Sequence, residues 1–233
     1  MHRFFVPQDQ IPVITGSDAH QIKNVLRMKS GDKLELLDGS GEIYTVKISE
    51  LKRDNIVCEI ISERSETIEQ KVSVTIAQCL PKTKKMDLII QKCTELGVNK
   101  IIPTLSERSI AKGDKSDRWK KIAKEAAEQS GRATIPEIDP LTEFGDLLKL
   151  SKDYDLALIP WELEQETTLK HTLTTTLPHY ILILIGSEGG FSKSEIDLAV
   201  AAGFKPTTLG KNILRTETAG MSILSMINYQ YNL

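Results

Sequence analysis

Two short stretches hold the residues best able to do chemistry. The first, Gly186-Ser187-Glu188-Gly189-Gly190, stops the unbroken apolar run at residues 181–185. Its glycines permit positive φ and let a ligand approach the backbone with no Cβ in the way. The second, LGKNILRTETAG at residues 209–220, places Arg215 and Glu217 among Thr216, Thr218 and Ala219. A carboxylate such as Glu188 or Glu217 can take a proton, and a guanidinium can stabilise a developing anion. By itself the first stretch is only a glycine turn after a strand, since it matches neither G-x-G-x-x-G nor a Walker loop. The second stretch gives it a partner.

Other candidates lie upstream. Lys82, Lys84 and Lys85 stand just ahead of a helical pattern that starts at Met86. Cations there oppose the helix dipole, which suggests another task, such as binding phosphate. Glu125, Gln129 and Arg132 fall at i, i+4 and i+7, so one helix face is expected to carry an acid, an amide and a guanidinium. Such a row can read a base edge or hold a phosphate, although a solvated, salt-bridged face is the plainer reading. Arg108 sits in a polar loop after a strand, a usual place for functional side chains. Glu95 lies three residues after Lys92, close enough to pair with it inside one helix.

These residues need elements to position them. The run 181–185 reads as a strand buried on both faces, as in parallel sheets. Ser192 and Glu195 form a capping box, and Phe191 and Ile196 a hydrophobic staple, so a helix starts directly after the glycine turn. Gly203 is placed to close it. From Val72 onward strands alternate with helices: 72–77, 100–103, 156–159, 181–185 and 207–209 as strands, with helices marked by Met86, Ile89, Ile90 and Cys93, by Trp119, Ile122, Ala123 and Ala126, and by Ile223, Leu224 and Ile227. That alternation predicts an α/β fold with a parallel sheet. Before it, 3–6, 34–37, 43–48 and 56–61 read as short strands with tight turns, which suggests a small β-rich domain or barrel. The polar, aperiodic segment 65–71 marks the boundary.

Composition excludes several classes. The 233 residues carry a net charge of −2 and no apolar run near the roughly 20 residues of a membrane helix. The start, MHRFFVPQDQ, lacks the apolar core of a signal peptide. Three scattered cysteines and four histidines without metal spacing argue against a disulfide framework and a metal site. A cytoplasmic, metal-free protein without membrane contact is expected. Charge is unevenly spread. Residues 71–132 hold 14 Lys and Arg against 7 Asp and Glu, while 1–70 hold 9 against 12 and 133–233 hold 7 against 13. A basic segment in an acidic chain is what a polyanion partner would require.

GSEGGFSKSEI followed by LGKNILRTETA closely resembles the C-terminal signature of the RsmE family, SPOUT-class methyltransferases acting on N3 of a uridine in 16S ribosomal RNA. The resemblance extends through HRFFV, HQIKNVLRMKSGD from His20, QKCTELGVNKIIP from Gln91, SERS from Ser106 and RWKKIAKEAAEQSGR from Arg118. One departure is Ser187, where the family usually has proline, so the turn loses a fixed φ. The resemblance implies a PUA-like β-barrel RNA-binding domain at 1–68 and a SPOUT domain at 72–233. The latter would have a C-terminal trefoil knot, which general topology rules would not predict. It implies S-adenosyl-L-methionine as cofactor, held by Leu158, Ile185, Gly186, Glu188, Gly189, Gly190, Leu209, Gly210, Ile213, Leu214, Thr216, Thr218 and Ala219. Substrate-side residues would be Arg3, Arg27, Lys82, Lys84, Lys85, Arg108, Glu125, Gln129 and Arg132. Arg215, Glu217 and Arg132 are the catalytic candidates, with the proton acceptor left open between Glu188 and Glu217. The implied partners are 16S rRNA in an assembled small subunit and a second copy in a homodimer. Two alternatives stand beside this: a SPOUT enzyme with another RNA target, and a non-catalytic two-module RNA-binding protein.

Overall fold

The structure, a computed structural model, describes residues 1–65, 72–82, 85–109, 113–174 and 178–231. The chain divides into two units, Met1–Glu69 with Ala127–Ile135, and Gln70–Ala126 with Pro136–Leu233.

In the first unit β1 (Arg3–Phe5), β2 (Val13–Thr15), β3 (Lys33–Leu37), β4 (Glu42–Leu51) and β5 (Asn55–Ser65) form one sheet in the order β1-β3-β4-β5-β2, with the short helix α1 (Gly16–His20) after β2. Only β1 and β3 run parallel. The expected barrel takes the form of this five-stranded sheet, which register shifts at Thr45/Val46 and Ile48/Glu50 bend between β4 and β5. Strand β2 is not among the strands expected from sequence; of its three residues only Ile14 is buried. Phe4, Ile14, Ile22, Leu34, Leu36, Val46, Ile48 and Ile56 fill one side. On the other, Phe5, Leu37 and Ile43 pack with Ala127 and Ala133. That second apolar face is why residues 127–135, expected in the C-terminal domain, join the N-terminal unit. The Phe5 backbone N–H also donates to Glu128 Oε1 at 2.9 Å.

The second unit runs β6 (Ser73–Cys79), α2 (Lys85–Glu95), β7 (Lys100–Leu105), α3 (Ser116–Ser130), β8 (Glu137–Ile138), β9 (Thr142–Glu143), α4 (Phe144–Lys149), β10 (Leu156–Pro160), α5 (Leu169–Thr174), β11 (Tyr180–Ile185), α6 (Lys193–Ala201), β12 (Lys205–Thr207) and α7 (Thr216–Tyr231). The sheet order is β12-β10-β11-β6-β7-β8, with β9 also on β7, and every pair is parallel. Strand β11 lies between β10 and β6, and its residues 181–185 are buried, which explains the unbroken apolar run. Burying each such Ile or Leu contributes about 1.5–3 kcal/mol. The chain moves inward from β10 to β11, then leaps outward over β10 to β12. The strand order therefore reverses there, and a crevice opens beyond the carboxyl ends of the three strands. The last strand ends at Thr207, two residues before the end expected from sequence, because residues 208–214 leave the sheet to line that crevice.

Candidate functional site

A cavity of about 550 Å³ occupies this crevice, within the range of about 300–1,000 Å³ usual for small-molecule sites. Three segments converge on it: residues 160–168 after β10, the turn after β11, and residues 208–214 after β12. Of the residues assigned from sequence to the cofactor, Ile185, Gly186, Gly190, Leu209, Gly210, Ile213, Leu214, Thr216 and Ala219 line it. Leu158 is buried inside β10, and Thr218 is exposed on α7. Neither of these faces the cavity, nor do Glu188 and Gly189, which stand on the outer side of the turn.

The turn is a four-residue reversal in which Gly190 N–H donates to Ser187 O at 3.0 Å. Gly190 has φ +64 and so suits the turn without a side chain. A Cβ on Gly186 would meet Phe191 Cε2 at 3.2 Å and Gly190 Cα at 3.3 Å, so the strand end needs glycine for close packing. Arg108 braces the outside: its Nη1 donates to Gly189 O at 2.8 Å. Ser187 is buried, and its hydroxyl donates to Arg108 O at 3.2 Å. The residue standing in place of the family proline thus supplies a tether instead of a fixed φ. After the turn, Ser192 Oγ accepts from Glu195 N–H at 3.2 Å and Glu195 Oε2 accepts from Ser192 N–H at 2.9 Å. That completes the expected capping box. Glu195 Oε1 also accepts from Glu107 N–H at 2.8 Å, which ties the loop carrying Arg108 to the start of α6.

Outside the turn lies a charged cluster. Lys85 Nζ stands 3.0 Å from Glu188 Oε1 and 3.2 Å from Glu217 Oε2. Glu188 also accepts from the Lys82 backbone N–H at 3.1 Å. Burial pushes the Glu188 carboxyl up, but the Lys82 N–H, its own N–H and Lys85 outweigh it and hold the group below the usual carboxylate range. Glu217 follows the same balance: burial raises it, and its own N–H, Lys85 and the Arg215 charge bring it below. Lys85 is raised in turn by its bonds to Glu188 and Glu217. Two carboxylates of the protein thus engage the ammonium, whose side chain is 31% exposed. The pairing offsets its unfavourable place at the start of α2. Lys82 is exposed, and Lys84 lies outside the described residues.

The remaining assigned residues scatter. Helix α3 ends at Ser130 and Gly131 has φ +75, so Arg132 is turned off the helix and does not share the face of Glu125 and Gln129. Both of those side chains are exposed on α3, but Gln129 belongs with the first unit and Glu125 with the second. Burial pulls the Arg132 guanidinium down to about 10. Arg3 is committed inside the first unit, 2.8 Å from Glu35 and donating to the Gly131 carbonyl. Arg27 is exposed, with φ 53. Arg215 is exposed immediately before α7, where its carbonyl accepts from Thr218 and Ala219 N–H. The basic excess of the middle segment is partly neutralised, since Lys92 pairs with Glu95, Lys100 with Asp139 and Arg118 with Asp87.

Sequence reasoning missed the wall formed by Pro160, Trp161, Glu162, Glu164, Gln165 and Thr168. The usable signal was position: these residues follow a buried strand at its carboxyl end, where α/β sheets put ligands. Among the described residues no His, Cys, Asp and Glu group could hold a metal ion, and no helix is long and apolar enough to cross a membrane.

Residues 68–228 match the model of an RNA methyltransferase domain, and residues 14–61 that of an RNA methyltransferase PUA domain. The chain is 36% identical to ribosomal RNA small subunit methyltransferase E of Bacillus subtilis over 231 residues, covering 94% of this chain and 90% of that protein. Among solved structures, ribosomal RNA small subunit methyltransferase E of Neisseria gonorrhoeae bound to S-adenosyl methionine superposes with a TM-score of 0.87 at 30% identity, covering 99% and 98% of the two chains. A methyltransferase of Legionella pneumophila in complex with the bound cofactor SAM gives 0.89 at 31% identity, over 98% and 97%.

Proposed function

The chain belongs to the ribosomal RNA small subunit methyltransferase E family of RNA methyltransferases, and from that premise we propose that it methylates N3 of a uridine in 16S rRNA, using S-adenosylmethionine as donor. The observation that carries this reading is the convergence of the glycine turn and residues 208–214 on one cavity beyond β10, β11 and β12. Its lining suits the donor. Ile185, Leu209, Leu214 and Ala219 offer apolar walls for a base, and Gly186, Gly190 and Gly210 let a ligand reach main-chain groups. Glu162 and Glu164 outnumber Lys211 among the charged residues of the lining, a balance that suits a cationic ligand. When bound, S-adenosylmethionine supplies an already activated methyl group. What the protein must add is alignment and management of the N3 proton.

Glu188 and Glu217, held below the ordinary carboxylate range, are weak bases. Their part in this reading is to hold Lys85 and the turn in place. The exposed Arg215 guanidinium, beside Thr216 on the cavity wall, is the group suited to stabilise a uridine anion. N3 is the pairing edge of the base, so the target uridine has to be unpaired and splayed out. The first unit, on which Arg27 and Gln129 are exposed, would grip rRNA in the assembled 30S subunit. The enzyme would act as a cytoplasmic homodimer, with its last helix reached through a SPOUT-type knot. Asn228 on α7 donates to Leu96 O at 2.7 Å, which holds the last helix against the end of α2.

Two measurements test this. Calorimetry should register S-adenosylmethionine and its demethylated product in the micromolar range. Deletion of the gene, followed by mass mapping of 16S rRNA, should show one uridine lacking a methyl group. Donor binding without a lost rRNA methyl would move the target elsewhere, and no donor binding would remove the enzymatic reading.

A further inference from the structure

We propose that Gln78, which does not line the cavity, is the positioning residue that keeps the two halves of the donor pocket in register; the inference rests on the reading of that pocket given above. Gln78 is fully buried near the carboxyl end of β6, beside β11. Its Nε2 donates to Cys79 O at 2.9 Å and to Thr216 Oγ1 at 2.9 Å, and stands 3.4 Å from Gly186 O. Its Oε1 is buried without a hydrogen-bond partner. The amide is held in this sense, because reversal would set its oxygen against the Cys79 and Gly186 carbonyl oxygens, which only accept, and leave its N–H groups where Oε1 now finds no partner.

The direction of the network follows. Thr216 Oγ1 already accepts from Gln78, so its single proton is free to donate to Gly186 O, at 2.5 Å. The relay Gln78 N–H to Thr216 O–H to Gly186 C=O joins the end of β11 to the first residue of α7. Both Thr216 and Gly186 are on the cavity wall, from segments 30 residues apart. Each bond in such a chain polarises the next. Packing alone does not account for an amide here. A methionine or leucine would occupy similar volume without burying an unpaired carbonyl oxygen, which is costly. The amide is explained by what its N–H groups hold. Without it, the Thr216 hydroxyl loses its donor and the Thr216–Gly186 bond alone ties the two segments, so more of the donor pocket must be ordered at the moment of binding.

The test uses the full chain and calorimetry with S-adenosylmethionine and its demethylated product, plus single-turnover methylation of rRNA. Gln78→Met should weaken both ligands about tenfold while the rate at saturating donor stays within twofold, since Gln78 does not reach the reacting atoms. Thr216→Val should produce a similar loss, Thr216→Ser should restore affinity, and Gln78→Met with Thr216→Val should be no worse than either alone. If Gln78→Met does not fold, the Thr216 pair carries the test. Unchanged affinity in these variants, strictly additive losses, or a fall in rate with unchanged affinity would each overturn the proposal. Failure of the parent chain to bind either ligand would instead sink the methyl-donor reading.

Discussion

Arg108 lies across Gly189. Its guanidinium Nη1 donates to the Gly189 carbonyl at 2.8 Å, and its Cβ is 3.1 Å from where a Cβ on Gly189 would stand. The glycine is therefore required by a neighbouring side chain on the outside of the turn. The sequence argument, in which the turn's glycines keep Cβ atoms out of a ligand's way, points to the cavity, whereas the neighbour that crowds Gly189 is Arg108.

A first prediction follows from that contact. Gly189→Ala should cost about 1–2 kcal/mol by overpacking and weaken donor binding indirectly, through the turn. Arg108 Cβ is stiff main-chain-proximal structure, so the partner must move. Combining Gly189→Ala with Arg108→Gly should recover part of the stability lost to the clash. Urea denaturation of the two single variants and the double variant checks this, and purely additive losses would contradict it.

Acid should loosen the Lys85 cluster. Glu188 and Glu217 have folded-state values below their ordinary 4.5. Their contribution to stability is thus fully present above that value and is lost as pH falls through the depressed folded-state range. Lys85 is raised above 10.5, so its contribution is present below that pH and fades as pH rises through the raised value. Lys85→Met should flatten the fall in urea midpoint between pH 5 and pH 3. An acid limb as steep as that of the parent protein would show that the pairing contributes nothing measurable.

The start of α6 should be sensitive to one hydroxyl. Ser192 Oγ caps Glu195 N–H and donates to Glu107 Oε2 at 2.7 Å. Ser192→Ala should cost about 1 kcal/mol, which is about 2–4 °C in Tm for a chain of this size. Thermal melts read the effect directly, and Ser192→Thr should recover most of it.

The three thiols should be silent in the native protein. Burial pushes Cys58 up to about 11 and Cys79 and Cys93 up to about 12, so little thiolate exists near neutrality. A chromogenic thiol reagent should titrate no cysteine in the folded chain at pH 7.5 and three in denaturant. Fast reaction of any one in the folded state would contradict the assigned burial.

Much of the fold was legible because local rules and the final packing agree. The run at 181–185 is apolar without alternation since β11 is covered on both faces, and Ser192 with Glu195 satisfies N–H groups that any helix start leaves open. Gly203, with φ 99, closes α6 where the pattern placed it. Arg132 shows the opposite case. Its i+7 spacing looked helical, yet Gly131 ends α3 one residue earlier, and residues 127–135 pack on an apolar sheet face. Periodicity cannot reveal that the packing partner has changed.

From sequence alone came the parallel α/β sheet, the glycine turn at the end of its central strand, and the family resemblance. Each depends on residues near one another in the chain, or on motifs that survive as strings. Tertiary structure alone decided the rest: that Gly186 meets Thr216, that Lys85 sits between Glu188 and Glu217, that Arg108 braces Gly189, and that Trp161 and Glu162 complete the cavity wall. The three contacts join residues from 30 to 132 positions apart. Their distances are set by strand order and crossover connections, which no local propensity encodes.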